Sequence, residues 1–425
     1  MLKWLSVITL LALVAGIAAG TWAAGTGDAA IGEFAIQLEH VGDLWLNLLR
    51  MTVIPLVFSL LVTGVASVAD AASSGRLAAR AIFVFGVLLA SATAFACLIF
   101  PALLSFAPVD PTAAAGFIAR AGGEAIQPAM PPTLGEWLAA LAPANAVAAA
   151  AEGAILPLVV FALFFGFAAT QLPAAQRAPM VVFFRAVADT MIIIVRWVLY
   201  AAPVGVFALA LGVGLTAGVG IAGLILHYIL LVSGVTAAIV PIAFLFAFLW
   251  GGAKPGRFIN TMAPILAVAI SSRSSLASLP LMVERARDGL GTPERVANLV
   301  LPMAVAVFRM TSPVANLGVV FFCAAALGVE LSPGAIIVGG LVAIAISIGS
   351  VGLPGEISFI ASVAPISMAM GVPIELLGLL VAVEAVPDIF RTVGNVSGDM
   401  AATAIVAKNP SAPNSPEAVP AAPPG

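Results

Sequence analysis

The sequence has very little charge. Of its 425 residues, 9% are charged and 62% are hydrophobic, and the mean hydropathy is +1.17. Because soluble domains carry about a quarter charged residues, this composition cannot cover a water-facing surface. Lipid is the solvent that suits it. The net charge of −3 is too close to neutral to indicate a nucleic-acid partner.

Cysteine and histidine are nearly absent as well. Cys97 and Cys323 lie in apolar runs, which indicates neither a disulfide framework nor a metal site. His40 and His227 are far apart in the sequence, so a histidine-based centre is not expected. Since no Ser–His, paired-aspartate or metal-ligand set is found, the sequence disfavours a membrane enzyme such as an intramembrane hydrolase.

Long apolar runs are what the sequence has instead. Runs able to cross about 30 Å of hydrocarbon recur along nearly the whole chain. The predicted spans lie near residues 4–25, 45–69, 80–107, 153–171, 180–212, 219–250, 295–325 and 374–406. Two further apolar stretches, 258–292 and 334–372, are interrupted by Ser, Gly and Pro. The first run has a signal peptide as its alternative, although it is long for one and leads directly into more apolar sequence.

Positive charges predict the orientation. Basic residues are concentrated in alternate connections and acidic residues in the intervening ones. The basic positions are Lys3, Arg76, Arg80, Arg177, Lys254, Arg257, Arg285, Arg287, Arg295 and Lys408, and the acidic ones are Asp28, Glu33, Glu39, Asp43, Asp110, Glu124, Glu136 and Glu330. By the positive-inside rule both termini are cytoplasmic and the number of full spans is even.

Charge inside the last span is a strong functional signal, because an ionised group at the bilayer centre costs about 2.5–3.5 kcal/mol. On a helix, six polar residues of this span fall within an arc of about 100°. They are Glu384, Asp388, Arg391, Thr392, Asn395 and Asp399. Mutual neutralisation between helices is the structural alternative. The stripe nevertheless exceeds what one structural pair needs, and it suits a zwitterion with an extra carboxylate.

The two interrupted stretches are predicted to be re-entrant hairpins. The first contains the serine-rich run 271–275, whose backbone can be satisfied only inside protein or by water. Its tip would expose backbone N–H groups toward an anion. The second has three glycines and a proline within 347–356, which cannot continue a helix. Their matching places before the seventh and eighth spans are typical of a midplane transport site. The alternatives are a plain loop for the first and a kinked helix or a loop for the second.

Arg309 is a further intramembrane charge. It lies about 15 residues into the seventh span, too deep to reach the interface comfortably. Pro313 frees a backbone carbonyl beside it. Pairing with a carboxylate for helix packing is the structural alternative.

In their order along the chain, these motifs resemble those of the glutamate/aspartate–dicarboxylate:cation symporter family. The similar stretches cover almost the full chain and are residues 49–64, 200–209, the serine-rich hairpin with Leu279 and Pro280, 352–355, and 391–408. The resemblance implies an all-α membrane protein with eight transmembrane helices and two re-entrant helical hairpins. It also implies a homotrimer in the cell inner membrane, in which a transport domain slides across the membrane in an elevator mechanism.

The resemblance divides the chain into domains. The scaffold comprises residues 1–75 (spans one and two) and 111–217 (spans four and five). The transport domain comprises 76–110 (span three) and 218–408 (spans six to eight with both hairpins). Residues 409–425, rich in Pro, Ala and Ser, form a disordered cytoplasmic tail.

The resemblance also implies roles for single residues. Asp388 matches the position that accepts the substrate amino group, and Arg391 matches the position that binds the distal carboxylate. Thr392 and Asn395 match contacts to the α-carboxylate and the amine. The other substrate-binding positions are the α-carboxylate donors Arg273, Ser274 and Ser275, the distal-carboxylate helper Ser312, and the lid residues Gly352, Pro354 and Gly355.

The sequence departs from the family in its cation motif. The family has Asn-Met-Asp-Gly-Thr in the seventh span, where this chain has Phe308–Ser312. The oxygen ligands that a hard cation such as Na⁺ needs are therefore missing. Arg309 is expected to pair with Asp399. The second hairpin keeps a cation site at Ser347, Ile348 and Ser350, whereas Glu384 and Glu356 are candidate proton carriers.

The predicted function is uptake of an acidic amino acid or a C4-dicarboxylate by symport, with no cofactor beyond the co-transported cation, H⁺ or Na⁺. Asp388 favours aspartate or glutamate, because a simple dicarboxylate has no amine for it to bind. The alternatives are a proton-coupled or uncoupled dicarboxylate exchanger and a non-transporting, degenerate member.

Overall fold

The computed structural model describes residues 2–73, 75–109, 142–217, 220–349 and 355–408, and the regular structure in these ranges is α-helical throughout. The predicted all-α class is confirmed. Six segments are long and apolar enough to cross a membrane, and four shorter apolar helices accompany them in the described part of the chain. This is the pattern of a multi-pass membrane protein.

The helices fall into two halves. The first half contains α1 (Leu2–Thr26), α2 (Ala29–Ser73), α3 (Arg76–Phe106), α4 (Ala146–Ala151), α5 (Ile155–Thr170), α6 (Ala174–Tyr200) and α7 (Ala202–Ala217). The second half contains α8 (Gly220–Ala237), α9 (Ile239–Leu249), α10 (Pro255–Ser272), α11 (Ser275–Asp288), α12 (Glu294–Val307), α13 (Thr311–Ala326), α14 (Pro333–Gly349), α15 (Gly355–Ala369), α16 (Leu377–Leu380) and α17 (Ala385–Ala407).

The second helix is much longer than its predicted span, 45–69. It has 45 residues, or about 67 Å at 1.5 Å per residue, and its start is capped by the Asp28 carboxylate, which accepts from the Ala30 N–H at 2.9 Å. Residues 29–44 lack a continuous apolar run but contain no proline, so the helix continues through them. The acidic residues at 33–43 therefore lie in α2, not in a connection.

The predicted fifth span, 180–212, is two helices in the structure. α6 ends at Tyr200, and α7 begins at Ala202 after a single residue. Pro203 has no N–H to donate to the preceding turn, so the helical bonding is interrupted there.

The first-half helices pack through small residues. α1 lies along α7, and a Cβ on Gly20 would lie 2.1 Å from the Leu211 carbonyl oxygen, so the two backbones are in contact. α2 packs against α5, α6 and α7, and the Trp45 indole donates to the Val198 carbonyl at 2.9 Å.

Each interrupted stretch contains two helices that pack together. α10 and α11 meet at Arg273, which has a left-handed φ of 52°, and at their base the Arg257 side chain donates to the Gly289 carbonyl. α14 and α15 also pack together, with Gly339 against Met370. The tip of this second hairpin, with Ser350, Gly352 and Pro354, lies outside the described residues.

One ion pair joins the long second helix to the segment before α16. Arg50 Nη2 lies 2.6 Å from Glu375 Oε1, and both side chains are about two-fifths exposed (38% and 40%). The second hairpin also packs against α2. These contacts connect the predicted scaffold to the predicted transport domain.

Candidate functional site

The last helix lies at the centre of the second half. α17 packs against α3 and against α8 to α13. Two glycines allow this close packing, since a Cβ on Gly394 would lie 2.3 Å from Thr311 Cγ2 and one on Gly398 would lie 2.9 Å from Met310 Cβ. The polar stripe of α17 is therefore turned into protein. Its six residues are buried: Glu384, Asp388, Arg391, Thr392, Asn395 and Asp399.

The predicted seventh span is broken opposite this stripe. α12 ends at Val307, and Phe308 is extended, with φ −119° and ψ 115°, before α13 starts at Thr311. The break frees backbone groups for side chains: the Arg309 carbonyl accepts from Ser347 Oγ at 3.1 Å, and the Thr311 N–H donates to Asn395 Oδ1 at 3.0 Å. Unwound backbone at this depth is satisfied by protein, as a membrane interior requires.

Asn395 is fixed by the start of α13. The Thr311 hydroxyl lies 2.7 Å from Asn395 Oδ1 and 2.8 Å from the Arg391 carbonyl oxygen. With its oxygen occupied, the Asn395 NH₂ group has no hydrogen-bond partner among the described residues. This group suits an acceptor such as a substrate carboxylate, in line with the predicted role.

Arg391 lies at the centre of a buried cluster. Its Nε lies 2.9 Å from Glu384 Oε1, and its Nη1 donates to Asn316 Oδ1 at 2.6 Å. The third nitrogen, Nη2, is buried and has no hydrogen-bond partner in the described part of the chain. A buried unsatisfied donor is costly, so this nitrogen is a ready position for an anionic ligand.

The cluster extends to two residues that the sequence analysis did not single out. Tyr228 on α8 donates from its hydroxyl to Glu384 Oε2 at 3.0 Å. Asn316 also reaches Ser312 Oγ with its Nδ2 at 3.4 Å. An amide inside the apolar run of α13 was the signal for Asn316. Tyr228, the partner of a carboxylate 156 positions away, had no local signal.

Asp388 lies one turn before Arg391 and faces the first hairpin. Its Oδ2 is 3.9 Å from Arg273 Nη1, so the hairpin tip brings a guanidinium to the residue predicted to bind the amine. Thr392 donates to the Asp388 carbonyl at 3.0 Å within the helix. The hairpin tip thus contributes the positive charge of Arg273 to the site, in addition to its backbone groups.

The serines at this tip have local roles. The Ser274 side chain caps α11 by accepting from the Ala277 N–H at 3.3 Å. Its own N–H donates to Ser272 Oγ at 3.2 Å. Ser275 begins α11 and is half-buried. In this arrangement the start of α11 faces the same region as Arg273.

The predicted cation positions are only partly described. Ser347 is buried and Ile348 half-buried at the end of α14, while Gly355 and Glu356 start α15. Phe308, which was predicted to replace the family asparagine, stacks on Phe85 with ring centroids 4.8 Å apart. An aromatic pair therefore lies where the sequence analysis expects an amide oxygen to be missing.

Asp399 is the least satisfied carboxylate of the stripe. Both oxygens are buried, and neither has a hydrogen-bond partner among the described residues. Arg309, which is half-buried, is the charged group that acts on it electrostatically, although the described residues contain no ion pair to Asp399 within 4 Å. The expected pairing with Arg309 therefore remains a prediction.

Known transport proteins are similar to nearly the whole chain. The model of the sodium:dicarboxylate symporter family matches residues 5–409. The proton/glutamate-aspartate symporter of Escherichia coli (strain K12) is 30% identical over 416 residues, which are 94% of this chain and 91% of that protein. The C4-dicarboxylate transport protein of Rhizobium johnstonii is 27% identical, over 88% of this chain and 84% of that protein. The human neutral amino acid transporter B(0) is 30% identical, over 93% and 78%. This chain belongs to the sodium:dicarboxylate symporter family.

Proposed function

We propose that this chain is a secondary active symporter for aspartate, glutamate or a related C4-dicarboxylate. The observation that carries the proposal is Arg391, a buried guanidinium with one nitrogen left without a partner among the described residues. Arginine binds carboxylates through two parallel hydrogen bonds. The names of the relatives, a proton/glutamate-aspartate symporter and a C4-dicarboxylate transport protein, support the same substrate class.

Asp388 makes an amino acid the preferred substrate. Asp388 and Arg391 are three positions apart, so they lie on one side of α17 and offer a carboxylate for the amine and a guanidinium for the distal carboxylate. The nearby Arg273 partly compensates Asp388 in this structure, and a substrate amine would replace part of that contact.

Glu384 gives the site a means of proton coupling. In this structure its carboxylate occupies one edge of Arg391, as the distal carboxylate of a substrate would. A substrate that takes this edge removes the counter-charge of Glu384, which is already buried, and an unpaired buried charge is costly. Uptake of a proton by Glu384 removes that cost, so each loaded crossing would carry H⁺ together with the acidic substrate.

The same proposal includes weak coupling of transport to Na⁺. The stacked Phe85 and Phe308 rings replace an oxygen ligand, and the Arg309 cation acts on Asp399. Na⁺ prefers oxygen ligands without a neighbouring positive charge. Asp399 then depends on Arg309 or on a proton for compensation.

The proposed mechanism is of the elevator type. Residues 76–110 and 218–408 would move as the transport domain against 1–75 and 111–217 in a homotrimer of the inner membrane, with both termini cytoplasmic. The packing of α3 on α13 and α17, and of α1 and α2 on α7, supports this division. The charge distribution of the connections supports the orientation.

Uptake of radiolabelled aspartate into proteoliposomes tests the proposal. A proton gradient is expected to drive accumulation, and excess succinate to compete. Accumulation without any gradient but with counter-substrate inside would identify an exchanger instead. Aspartate binding without uptake would identify a non-transporting member. Neither binding nor uptake of acidic substrates would refute the proposal.

A further inference from the structure

A groove between α3 and α8 lies outside the transport site. Both helices pack on α13 but make little contact with each other, so a space of about 470 Å³ remains between them. Its lining is apolar apart from His227. The groove opens to the surroundings of the protein, because Leu230 and Phe106 at its edge are 64% and 86% exposed. We refer to this space as the α3–α8 groove.

Small residues give the groove its depth. Gly234 of α8 lines it, and a Cβ built on this glycine would have no atom within 4 Å. Ala238 lines the groove one turn further along the same side of the helix. A larger side chain would therefore fit at Gly234 without moving the backbone. The shape of the groove suits a narrow ligand that lies along α8.

The groove lies within the membrane. It is formed by two of the segments that are long and apolar enough to cross, Arg76–Phe106 and Ile221–Leu249. On α3 it reaches the carboxyl end of the span, so it starts at one membrane interface. On α8 it extends from His227 to Ala238, about 16 Å at 1.5 Å per residue. One leaflet is half of a hydrocarbon core of about 30 Å, so the length of the groove matches that of a lipid acyl chain.

His227 lies at the depth of phospholipid ester groups. Its span has 29 residues and is about 43 Å long, which matches a whole bilayer of about 40–45 Å with its core of about 30 Å. The core therefore begins about 6 Å from either end of the span. His227 comes six residues after Ile221, or about 9 Å, close to that boundary. The ester groups of a phospholipid join its headgroup region to its acyl chains at the same boundary.

The His227 ring has a hydrogen-bonding group to offer. Its contact is with the Phe322 ring, edge to face with centroids 5.8 Å apart, and no described residue forms a hydrogen bond with the imidazole. An imidazole has an N–H to donate in both its neutral and its charged form. An unpaired donor at the edge of the hydrocarbon region is costly. An acceptor from outside the protein would satisfy it.

We propose that the α3–α8 groove holds one acyl chain of a membrane phospholipid, whose ester carbonyl accepts a hydrogen bond from His227. Lipid tails are as apolar as the groove, so the hydrophobic effect gives no preference for this position over the bilayer. The preference comes from the hydrogen bond and from close packing between the two helices. Such a lipid site is independent of which substrate the protein carries.

A free fatty acid is the competing occupant, since it also has an acyl chain and an acceptor group. Its carboxylate would bring a charge to this depth, where an uncompensated charge is costly. The lining of the groove contains no Lys or Arg to compensate it. An ester carbonyl is neutral and needs only the N–H of His227. The groove therefore favours the phospholipid.

Filling the groove tests the site. In mild detergent the unmodified protein should retain one phospholipid per chain, counted by native mass spectrometry. Gly234→Phe should lower this retention about tenfold or more, because the ring occupies the space of the acyl chain. Gly223→Phe is the matched control and should retain the lipid, since this residue is an exposed glycine of α8 outside the groove and its Cβ would also have no atom within 4 Å. Equal retention in all three proteins, or none in the unmodified one, overturns the site.

Lipid chemistry tests the hydrogen bond and does not depend on how Gly234→Phe folds. Diester and diether phospholipids with the same headgroup and chains are offered separately, because the ether lacks the carbonyl. The unmodified protein should retain the diester roughly threefold better or more, and His227→Leu should retain both equally. An unmodified protein without this preference, or a His227→Leu variant that keeps it, overturns the role of His227. Oleate that displaces the phospholipid and is itself retained at one per chain overturns the choice of occupant.

Discussion

Two buried carboxylates of the polar stripe are compensated in different ways. Glu384, directly before the helix, has an ion pair to Arg391 and a hydrogen bond from Tyr228. Asp399, about 22 Å further along at 1.5 Å per residue, has no hydrogen bond from a described residue. The first carboxylate is therefore compensated by neighbouring side chains, and the second depends on a charge delivered from elsewhere. This difference distinguishes the part of the stripe around Glu384, which is predicted to bind the substrate, from the part around Asp399, which is predicted to depend on a cation.

The largest effect is expected from removing the guanidinium. Arg391→Gln leaves Glu384 as an uncompensated buried charge, which costs about 3–5 kcal/mol of folding stability. Uptake should be abolished, and aspartate affinity should fall at least tenfold, since a charge-assisted hydrogen bond contributes about 1.5–3 kcal/mol. Thermal unfolding and calorimetric titration measure the two effects.

The double variant Arg391→Gln/Glu384→Gln is the control for this result. It removes both charges together, so the melting temperature should recover while uptake stays absent. Unchanged aspartate affinity in the single variant would contradict the assignment of Arg391.

Asp388→Ser should change selectivity. Without the carboxylate that binds the amine, affinity for aspartate should fall tenfold or more. Succinate has no amine, so its affinity should stay the same or rise as Arg273 is released. Competition of both ligands against a radiolabelled substrate gives the two constants. An equal loss for both ligands would mean that Asp388 does not recognise the amine.

The sodium dependence of substrate binding tests the surroundings of Asp399. Aspartate affinity in choline and in sodium buffer, measured from pH 5.5 to 8, should differ less than tenfold at constant pH. Arg309→Met removes the cation that acts on Asp399, so the carboxylate needs another counter-charge and a sodium dependence should appear. Strong sodium stimulation of the unmodified chain would show that Na⁺ binds despite Arg309.

Glu384→Gln should tighten substrate binding several-fold. The amide no longer competes for Arg391 as an ion-pair partner, so more of the protein is ready to bind. If Glu384 carries the coupled proton, the pH dependence of uptake should also flatten. Glu330→Gln, which changes an exposed carboxylate outside the site, is the matched control. A pH profile identical to that of the unmodified chain would exclude Glu384 as the proton carrier.

The smallest effect is expected for Tyr228→Phe. It removes one hydrogen bond to Glu384, worth about 1 kcal/mol, which corresponds to roughly a fivefold change in a binding constant. Thermal unfolding should register a small loss, and substrate affinity should shift only a few-fold. A complete loss of uptake would give Tyr228 a direct role in transport.

The sequence predicted the all-α class and the buried stripe of α17 because charge in an apolar run stands out without any structure. The division of each interrupted stretch into two helices was also predicted, since serine runs and clustered glycines break helices. Tyr228 and Asn316 were missed because each is one uncharged residue whose partner is remote in the sequence. Glu384 and Arg391 were predicted to share the stripe, but their direct ion pair was not, since it depends on side-chain conformations that the sequence does not reveal.

The ends of the helices were harder to predict than the polar stripe. The break at 308–310 precedes Pro313, which is tolerated in the first turn of α13, so proline did not mark its position. The break is held by a hydrogen bond from Ser347 to the Arg309 carbonyl and by one from the Thr311 N–H to Asn395, and these are tertiary contacts. The long start of α2 was missed because the search relied on continuous apolar sequence.

The ion pair between Arg50 and Glu375 has a kinetic consequence for the proposed elevator. Because it joins α2 to the segment before α16, a sliding transport domain must separate the two side chains on every cycle. Half-exposed pairs of this kind are worth no more than about 1 kcal/mol, or roughly a fivefold change in rate. The contact therefore sets the resting position of the domain without locking it, and the turnover of the carrier should respond to salt.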